Sequence, residues 1–318
     1  MSKTNFEQQL NAAVARAVKD AHKAWPRDDH AFFRQLRASL VPVMPVAPAG
    51  AGRALSRGRQ AAGPRLADDP RYVANLREVA RRSANARIIG GTEVGASEFQ
   101  DCVAVGNDNM WGCTGTLIAP DVVLTAAHCQ QLHTRVFVGR DVTKSGRIFK
   151  VRKHVRHARF DEEFNNDLMI LFLDKKVTGV KPRARATKAL IDKATVARLV
   201  GFGSTRLDGT GQLGAKLQTD VPIVSQSCRG KVNGESDSQA YGCHLNREIV
   251  AGKPLLLHDS CKGDSGGPLF VENAKGQWLL AGTTSRGTDR ATTMCGDGGL
   301  YVRVDAYEKW IASVLKTA

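Results

Sequence analysis

The first 101 residues contain no cysteine, and the rest of the chain holds seven: Cys102, Cys113, Cys129, Cys228, Cys243, Cys261 and Cys295. No disulfide can therefore tie the N-terminal region to the remainder. An odd total also leaves one thiol over, since six cysteines suffice for three bridges. No pair has the Cys-x-x-Cys spacing of a structural zinc site, so no metal and no cofactor is expected. Aromatic residues make up only 6% of the chain and do not interleave with its basic residues, so no nucleic-acid partner is expected. No apolar run reaches the ~20 residues a helix needs to span a bilayer. Residues 1–25 lack the apolar core of a secretory signal. A charge-free stretch, Ala38–Gly52, does follow Arg34 and Arg37, but Pro42, Pro45 and Pro48 break it and it begins far from Met1. On these grounds a cytoplasmic location is slightly favoured. No internal repeat is evident.

Positive charge and apolar content are both present. The chain of 318 residues is 42% hydrophobic, enough for a sizeable core, and carries a formal net charge of +15. Residues 1–87 hold 16 Lys and Arg against 7 Asp and Glu, and the remainder 30 against 24, so the excess lies mainly at the N-terminus. A solvated basic segment accounts for that. Phe6, Leu10, Val14 and Val18 recur every four residues and predict an amphipathic helix that Pro26 ends. Asp28 and Asp29 can cap a second helix through Phe32, Phe33, Leu36 and Leu40. Residues 1–40 thus read as a small helical segment, a candidate adaptor for a partner. Residues 41–65, rich in Pro, Ala, Gly and Arg, read as a linker. Residues 66–87 read as a helix and activation segment, in which Asp68-Asp69-Pro70 starts a third helix with Val73, Leu76 and Val79 on one face.

The texture changes at Ile88. Short apolar runs, among them Gly115–Ala119, Val122–Thr125, Arg135–Val138, Leu168–Leu173 and Arg198–Gly201, alternate with Gly, Asp and Pro. That is the pattern of an all-β barrel or sandwich. A last helix is predicted over 305–315, with Ala306, Trp310, Ile311 and Leu315 inward. Four segments then arrive in order: Arg87-Ile88-Ile89-Gly90-Gly91, Thr125-Ala126-Ala127-His128-Cys129, Asn166-Asp167-Leu168-Met169-Ile170-Leu171 and Gly263-Asp264-Ser265-Gly266-Gly267-Pro268. Together they resemble the chymotrypsin/trypsin family of serine proteases over residues 88–318. The resemblance implies two packed six-stranded antiparallel β-barrels, about 88–190 and 191–304, with a C-terminal helix; it does not reach residues 1–87, where the helical pattern reads as a small pro-segment in front.

It further implies a serine endopeptidase with Ser265 as nucleophile, His128 as its base and Asp167 as the carboxylate that orients the imidazole. A hydroxyl is a weak nucleophile at neutral pH and needs such a base within reach. The backbone N–H groups of Gly263 and Ser265 would receive the developing oxyanion. Asp259, six residues before Ser265, would lie at the base of a pocket walled by Gly287 and Gly299 and select Arg or Lys. Cleavage at Arg87–Ile88 would free an ammonium on Ile88 to pair with Asp264, so the chain reads as a zymogen. Ser285 matches the serine that supports the triad carboxylate. At the next position the family has Trp and this chain has Arg286, which suggests a preference for acidic or small residues before the cut.

The resemblance also implies the bridges Cys113–Cys129, Cys228–Cys243 and Cys261–Cys295, leaving Cys102 as a buried thiol. Three bridges would favour a secreted or periplasmic protein, against the leaning above. The partners implied are a protein substrate and an activating protease or an adaptor bound through residues 1–65. Short helical segments ahead of such proteases resemble, in architecture alone, activation cascades of bacterial defence. A second reading is a catalytically weak or inactive homologue that serves as a binding module.

Overall fold

The computed structural model describes residues 66–83, 92–205, 213–253, 259–291 and 295–317. The helices expected within residues 1–40, the linker at 41–65 and the Arg87–Ile88 junction lie outside them.

Six antiparallel strands close a first barrel: β1 (Cys102–Gly106), β2 (Trp111–Ala119), β3 (Val122–Thr125), β4 (Arg135–Val138), β5 (Arg147–Arg156) and β6 (Met169–Leu173). Around the ring they run β1-β2-β3-β6-β5-β4. A second ring follows from β7 (Val196–Gly201), β8 (Leu217–Ser225), β9 (Glu248–Ala251), β10 (Pro268–Glu272), β11 (Trp278–Gly287) and β12 (Gly299–Arg303). Its order is β8-β9-β12-β11-β10-β7, closed by the pairing of β7 with β8. The two-residue strand Thr92–Glu93 adds to the edge of β8. The chain therefore has the two six-stranded barrels that the resemblance implies.

Side-chain alternation explains why the strands read as unbroken apolar runs. On β6, Met169, Leu171 and Leu173 point into the first barrel, whereas Ile170 and Phe172 pack between the barrels. On β1, Val103 and Val105 face the interior while Cys102 and Ala104 face the interface. Both faces of these strands are buried, so the period-2 signal of a half-exposed strand is lost. The interface cluster joins Leu124 and Phe137 of the first barrel to Val200, Phe270 and Leu280 of the second. The second interior is filled by Leu199, Ile223, Ile249, Leu269 and Tyr301.

Four helices flank the barrels: α1 (Pro70–Ser83), α2 (Lys188–Lys193), α3 (Asp237–Tyr241) and α4 (Glu308–Leu315). Asp69 accepts the Arg71 N–H at 2.8 Å and caps α1, with Pro70 in the first helical position. The buried face of α1 holds Leu76 and Val79 as expected, with Tyr72 buried and Val73 only half-buried. Tyr72 has the larger apolar side chain to bury. In α4 Ile311 and Val314 are buried behind Tyr307, Trp310 and Leu315 pack half-buried against the same cluster as expected, and Ala306 is exposed. The turn Asp305–Tyr307 is a 3₁₀ helix, and its different period rotates Ala306 out.

The interface cluster is where a lost side chain should cost most. Phe172 is fully buried there, and Phe172→Ala is expected to lower stability by about 3–5 kcal/mol. Denaturant unfolding monitored by circular dichroism measures it; a loss below 1 kcal/mol would contradict this packing.

Candidate active site

His128 sits on a 3₁₀ turn, Ala127–Cys129, directly after β3. The disulfide Cys113–Cys129 fastens that turn to β2. Asp167 immediately precedes Leu168 and β6, after a kink at Asn166, whose φ is +56°. The kink aims the Asp167 carboxylate inward, where it has no exposed surface. Its Oδ1 accepts the His128 backbone N–H at 2.9 Å, and its Oδ2 lies 2.8 Å from His128 Nδ1. The Ser285 hydroxyl, from β11 of the other barrel, donates to Oδ2 at 2.6 Å. With Nδ1 held by the carboxylate, Nε2 is left to face outward as an acceptor. Phe164 stands edge-on to the imidazole at 5.6 Å between centroids, a neighbour the sequence reading did not single out.

Ser265 lies in a loop shaped by two glycines in left-handed conformations, Gly263 at φ +99° and Gly266 at φ +79°. The loop is tied across the barrel interface. Ser265 O accepts the Thr114 N–H at 2.8 Å and Gly263 O the Thr114 hydroxyl at 2.7 Å. A side chain at Gly266 would overlap the Thr125 hydroxyl, so the loop lies directly on the segment that leads to His128. Ser265, His128 and Asp167 are thus drawn to one place. Among the described residues neither the Gly263 nor the Ser265 N–H has an acceptor, so both donors remain available.

Asp264 turns the other way. Gly203 N–H donates to its Oδ1 at 2.8 Å and Cys261 N–H to its Oδ2 at 3.0 Å. Burial pushes this carboxyl up to about 6, against which the two N–H groups work. No cation pairs with it among the described residues.

The residues expected to form the substrate slot lie together beside the loop. Gly287 and Gly299 are direct cross-strand partners of β11 and β12. A side chain at Gly299 would come within 3.0 Å of the Tyr301 hydroxyl and 3.2 Å of Ser260 Oγ, whereas Gly287 has nothing nearer than 3.9 Å. At the base lies Asp259. Its Oδ1 accepts from Ser260 N at 2.8 Å and Tyr301 Oη at 3.2 Å, and its Oδ2 from Gly298 N at 3.0 Å and Lys253 N at 3.2 Å. Burial pushes it, too, up to about 6. Gly252 was not foreseen, yet a side chain there would overlap the Asp259 carboxylate. Tyr301 was equally unforeseen. Only β12, which sets it two residues beyond Gly299, puts its hydroxyl at the base of the slot.

Arg286 does not present a bare cation. Its guanidinium pairs with Glu248 at 2.6 and 3.1 Å and donates to Gly242 O at 2.8 Å. Glu248 is 1% exposed, so the pair is a buried one and answers the charge that suggested an acidic preference. Arg286 also lies 5.8 Å from the Phe164 ring centroid.

All three bridges implied by the resemblance are formed, Cys113–Cys129, Cys228–Cys243 and Cys261–Cys295. Cys102 is a buried free thiol, pushed up to about 12 by burial. Among the described residues no cluster of His, Cys, Asp and Glu is arranged to hold a metal, and no helix is long and apolar enough to cross a membrane.

The raised Asp264 carboxyl makes a pH prediction. A carboxyl near 6 in the folded chain and at its ordinary 3.8 in the unfolded one binds its proton more tightly when folded. Its stabilising contribution is therefore complete below about pH 4 and lost as pH rises through about 6. The intact chain should lose more stability between pH 4 and 7 than Asp264→Asn does, read as Tm against pH. Parallel curves would refute the assignment.

Comparison with known proteins agrees with this geometry. The trypsin family model matches residues 88–311. A trypsin-like protease of Streptomyces glaucescens is 33% identical over 252 residues, covering 76% of this chain and 87% of that protein. A trypsin of Saccharopolyspora erythraea is 34% identical over 230 residues, covering 69% and 94%. Human granzyme H is 28% identical over 214 residues, covering 64% and 80%. Three disulfides in a chain with such relatives point to an extracellular or secreted protein, and they overturn the expectation of a cytoplasmic one. The absent signal pattern that led there said nothing about the redox state that the bridges require. The inward carboxylate, its imidazole and the glycine-shaped serine loop are those of a hydrolase, and the chain belongs to the trypsin family of serine proteases.

Proposed function

We propose that the protein is a serine endopeptidase made as a zymogen, activated by cleavage at Arg87–Ile88, and specific for peptide bonds after Arg or Lys. The observation that carries the reading is the Asp167 carboxylate, held by His128 from one barrel and Ser285 from the other. In this mechanism His128 Nε2 takes the Ser265 proton as Oγ attacks the scissile carbonyl. The tetrahedral oxyanion is received by the Gly263 and Ser265 N–H groups. The imidazolium is stabilised by Asp167 and gives its proton to the leaving amine. Water then enters as the second nucleophile and releases the acyl product. A lost triad residue would have favoured the binding-module alternative, and the sequence keeps His128, Asp167 and Ser265.

The slot supports the specificity. Asp259 sits at its base with N–H and O–H donors but no ion-paired cation among the described residues, a place for an arginine or lysine side chain to end. Activation follows from Asp264. A new Ile88 ammonium would supply a cation that this half-buried carboxylate does not find among the described residues, and the pair would fix the adjacent Gly263–Ser265 loop. Because the bond follows an arginine, either the enzyme itself or an upstream protease of like specificity could cut it. A proteolytic activation cascade is the setting that such a step would suit.

Three measurements test this. N-terminal sequencing after trypsin treatment should find Ile88 together with a rise in activity on Arg substrates; Arg87→Gln should stay inactive under the same treatment. Asp259→Ser should lower kcat/KM for Arg substrates roughly 10²–10⁴-fold, since removing one partner of a buried ion pair costs about 3–5 kcal/mol. A carboxyl near 6 adds a pH signature. It must be ionised to hold a cation, so KM for Arg substrates should climb as pH falls through about 6. The same KM in Asp259→Ser should be flat there. Equal activity of the Arg87→Gln precursor and the cleaved enzyme would overturn the activation scheme.

A further inference from the structure

Helix α1 lies before the activation bond in sequence, yet it is built into the catalytic domain. Tyr72, Leu76 and Val79 are buried, with α1 packed along β8. Ahead of the helix, Leu66 is 2% exposed and packs on Gly298, where an added side chain would meet it at 2.9 Å. Gly298 is the residue whose N–H holds Asp259, so this contact reaches the base of the slot. Asn75 donates to the Ile223 carbonyl of β8 at 2.6 Å.

The polar contacts are more selective. Arg71 lies between two fully buried carboxylates, donating to Asp69 at 2.6 Å and to Asp237 at 2.6 and 3.1 Å. The Tyr241 hydroxyl donates to Asp69 at 2.6 Å. Asp237 also accepts the Gly230 N–H at 2.8 Å. Burial raises the Asp237 carboxyl, but hydrogen bonds from Arg71 and Ser225 bring it below its ordinary value. Asp237 and Tyr241 belong to the catalytic domain, and Asp69 and Arg71 to the segment before the cut. Withdrawal of that segment would strand the Asp237 carboxylate without its guanidinium and the Tyr241 hydroxyl without its acceptor. A buried pair split in this way is strongly unfavourable.

We propose that the segment around residues 66–83 stays on the catalytic domain after cleavage at Arg87–Ile88, as a non-covalent second chain seated on Asp237, Tyr241 and β8. The proposal rests on the activation reading above for the position of the cut. With no cysteine before Cys102, nothing covalent would hold the two chains together. The partner that fits this surface is therefore an amphipathic helix opened by Asp-Pro-Arg, supplied by the chain itself. Residues 1–65 would travel with the active enzyme rather than be released from it.

The test makes the cut controllable. Ala84→Ile, Asn85→Glu and Ala86→Gly create a factor Xa recognition sequence ending at Arg87, in a Ser265→Ala chain that cannot digest itself. After cleavage, N-terminal sequencing verifies Ile88, and size-exclusion chromatography at micromolar concentration separates the fragments or does not. Co-elution of residues 1–87 with 88–318 is the expected result. Arg71→Ala, and independently the milder Asn75→Ala, should each reduce the co-eluting fraction, Arg71→Ala by at least 10-fold. Circular dichroism of the uncut variants checks that they fold. Separation of the fragments with the clamp intact overturns the proposal, as does co-elution unaffected by Arg71→Ala. The same cut in a Ser265 parent, assayed on an Arg substrate, reports the activation reading separately. If activity does not rise there, that reading fails whether or not the fragments stay together.

Discussion

The carboxylate of Asp167 is out of contact with water, and its oxygens are held by three donors from two barrels. A charge in that position is tolerated only while the donors stay in place. The constraint works in both directions. It fixes the His128 ring, and it requires β3, β6 and β11 to meet at one level of the barrel interface. The interface cluster around Leu124, Ile170, Phe172 and Leu280 supplies the rigidity that this meeting needs. The Cys113–Cys129 bridge and the Thr114–Ser265 hydrogen bond extend the same junction to the serine loop.

The rest of the site divides by how it treats negative charge. Asp69, Asp101, Asp237 and Glu248 are buried carboxylates, and each is matched by an arginine: Arg71, Arg183, Arg71 again and Arg286. Asp259 and Asp264 have only N–H and O–H donors within reach among the described residues, and both are pushed up to about 6. Structural carboxylates here come with their cations. The two that stand at the slot and behind the serine loop do not, and a deficit of that kind is what a cation arriving later, from a substrate or a new chain terminus, can fill.

Much of this was legible in the sequence because it sits in contiguous words. Thr125–Cys129, Asn166–Leu171 and Gly263–Pro268 each combine a reactive side chain with the local residues that orient it. The apolar runs from Gly115 to Gly201 likewise marked the strands. What was illegible depended on register between distant strands. Tyr301 reaches Asp259 only because β12 lies opposite β11, and Gly252 matters only because Asp259 folds back onto it. Arg286 read as an exposed cation because its partner, Glu248, is 38 residues away. On α1, Leu76 and Val79 were legible and Tyr72 was not, since periodicity alone does not say whether Tyr72 or Val73 meets the barrel.

The disulfide Cys228–Cys243 brackets a loop that faces two ways. Through Asp237 and Tyr241 it receives helix α1 and its cap, and through the Gly242 carbonyl it receives the Arg286 guanidinium. Its helix α3 is held at one end by a capping box at Ser236 and Gln239 and at the other by Gly242. Opening this one bridge would slacken the mechanical link between helix α1 and Arg286, while leaving the bridges beside His128 and beside Asp259 untouched.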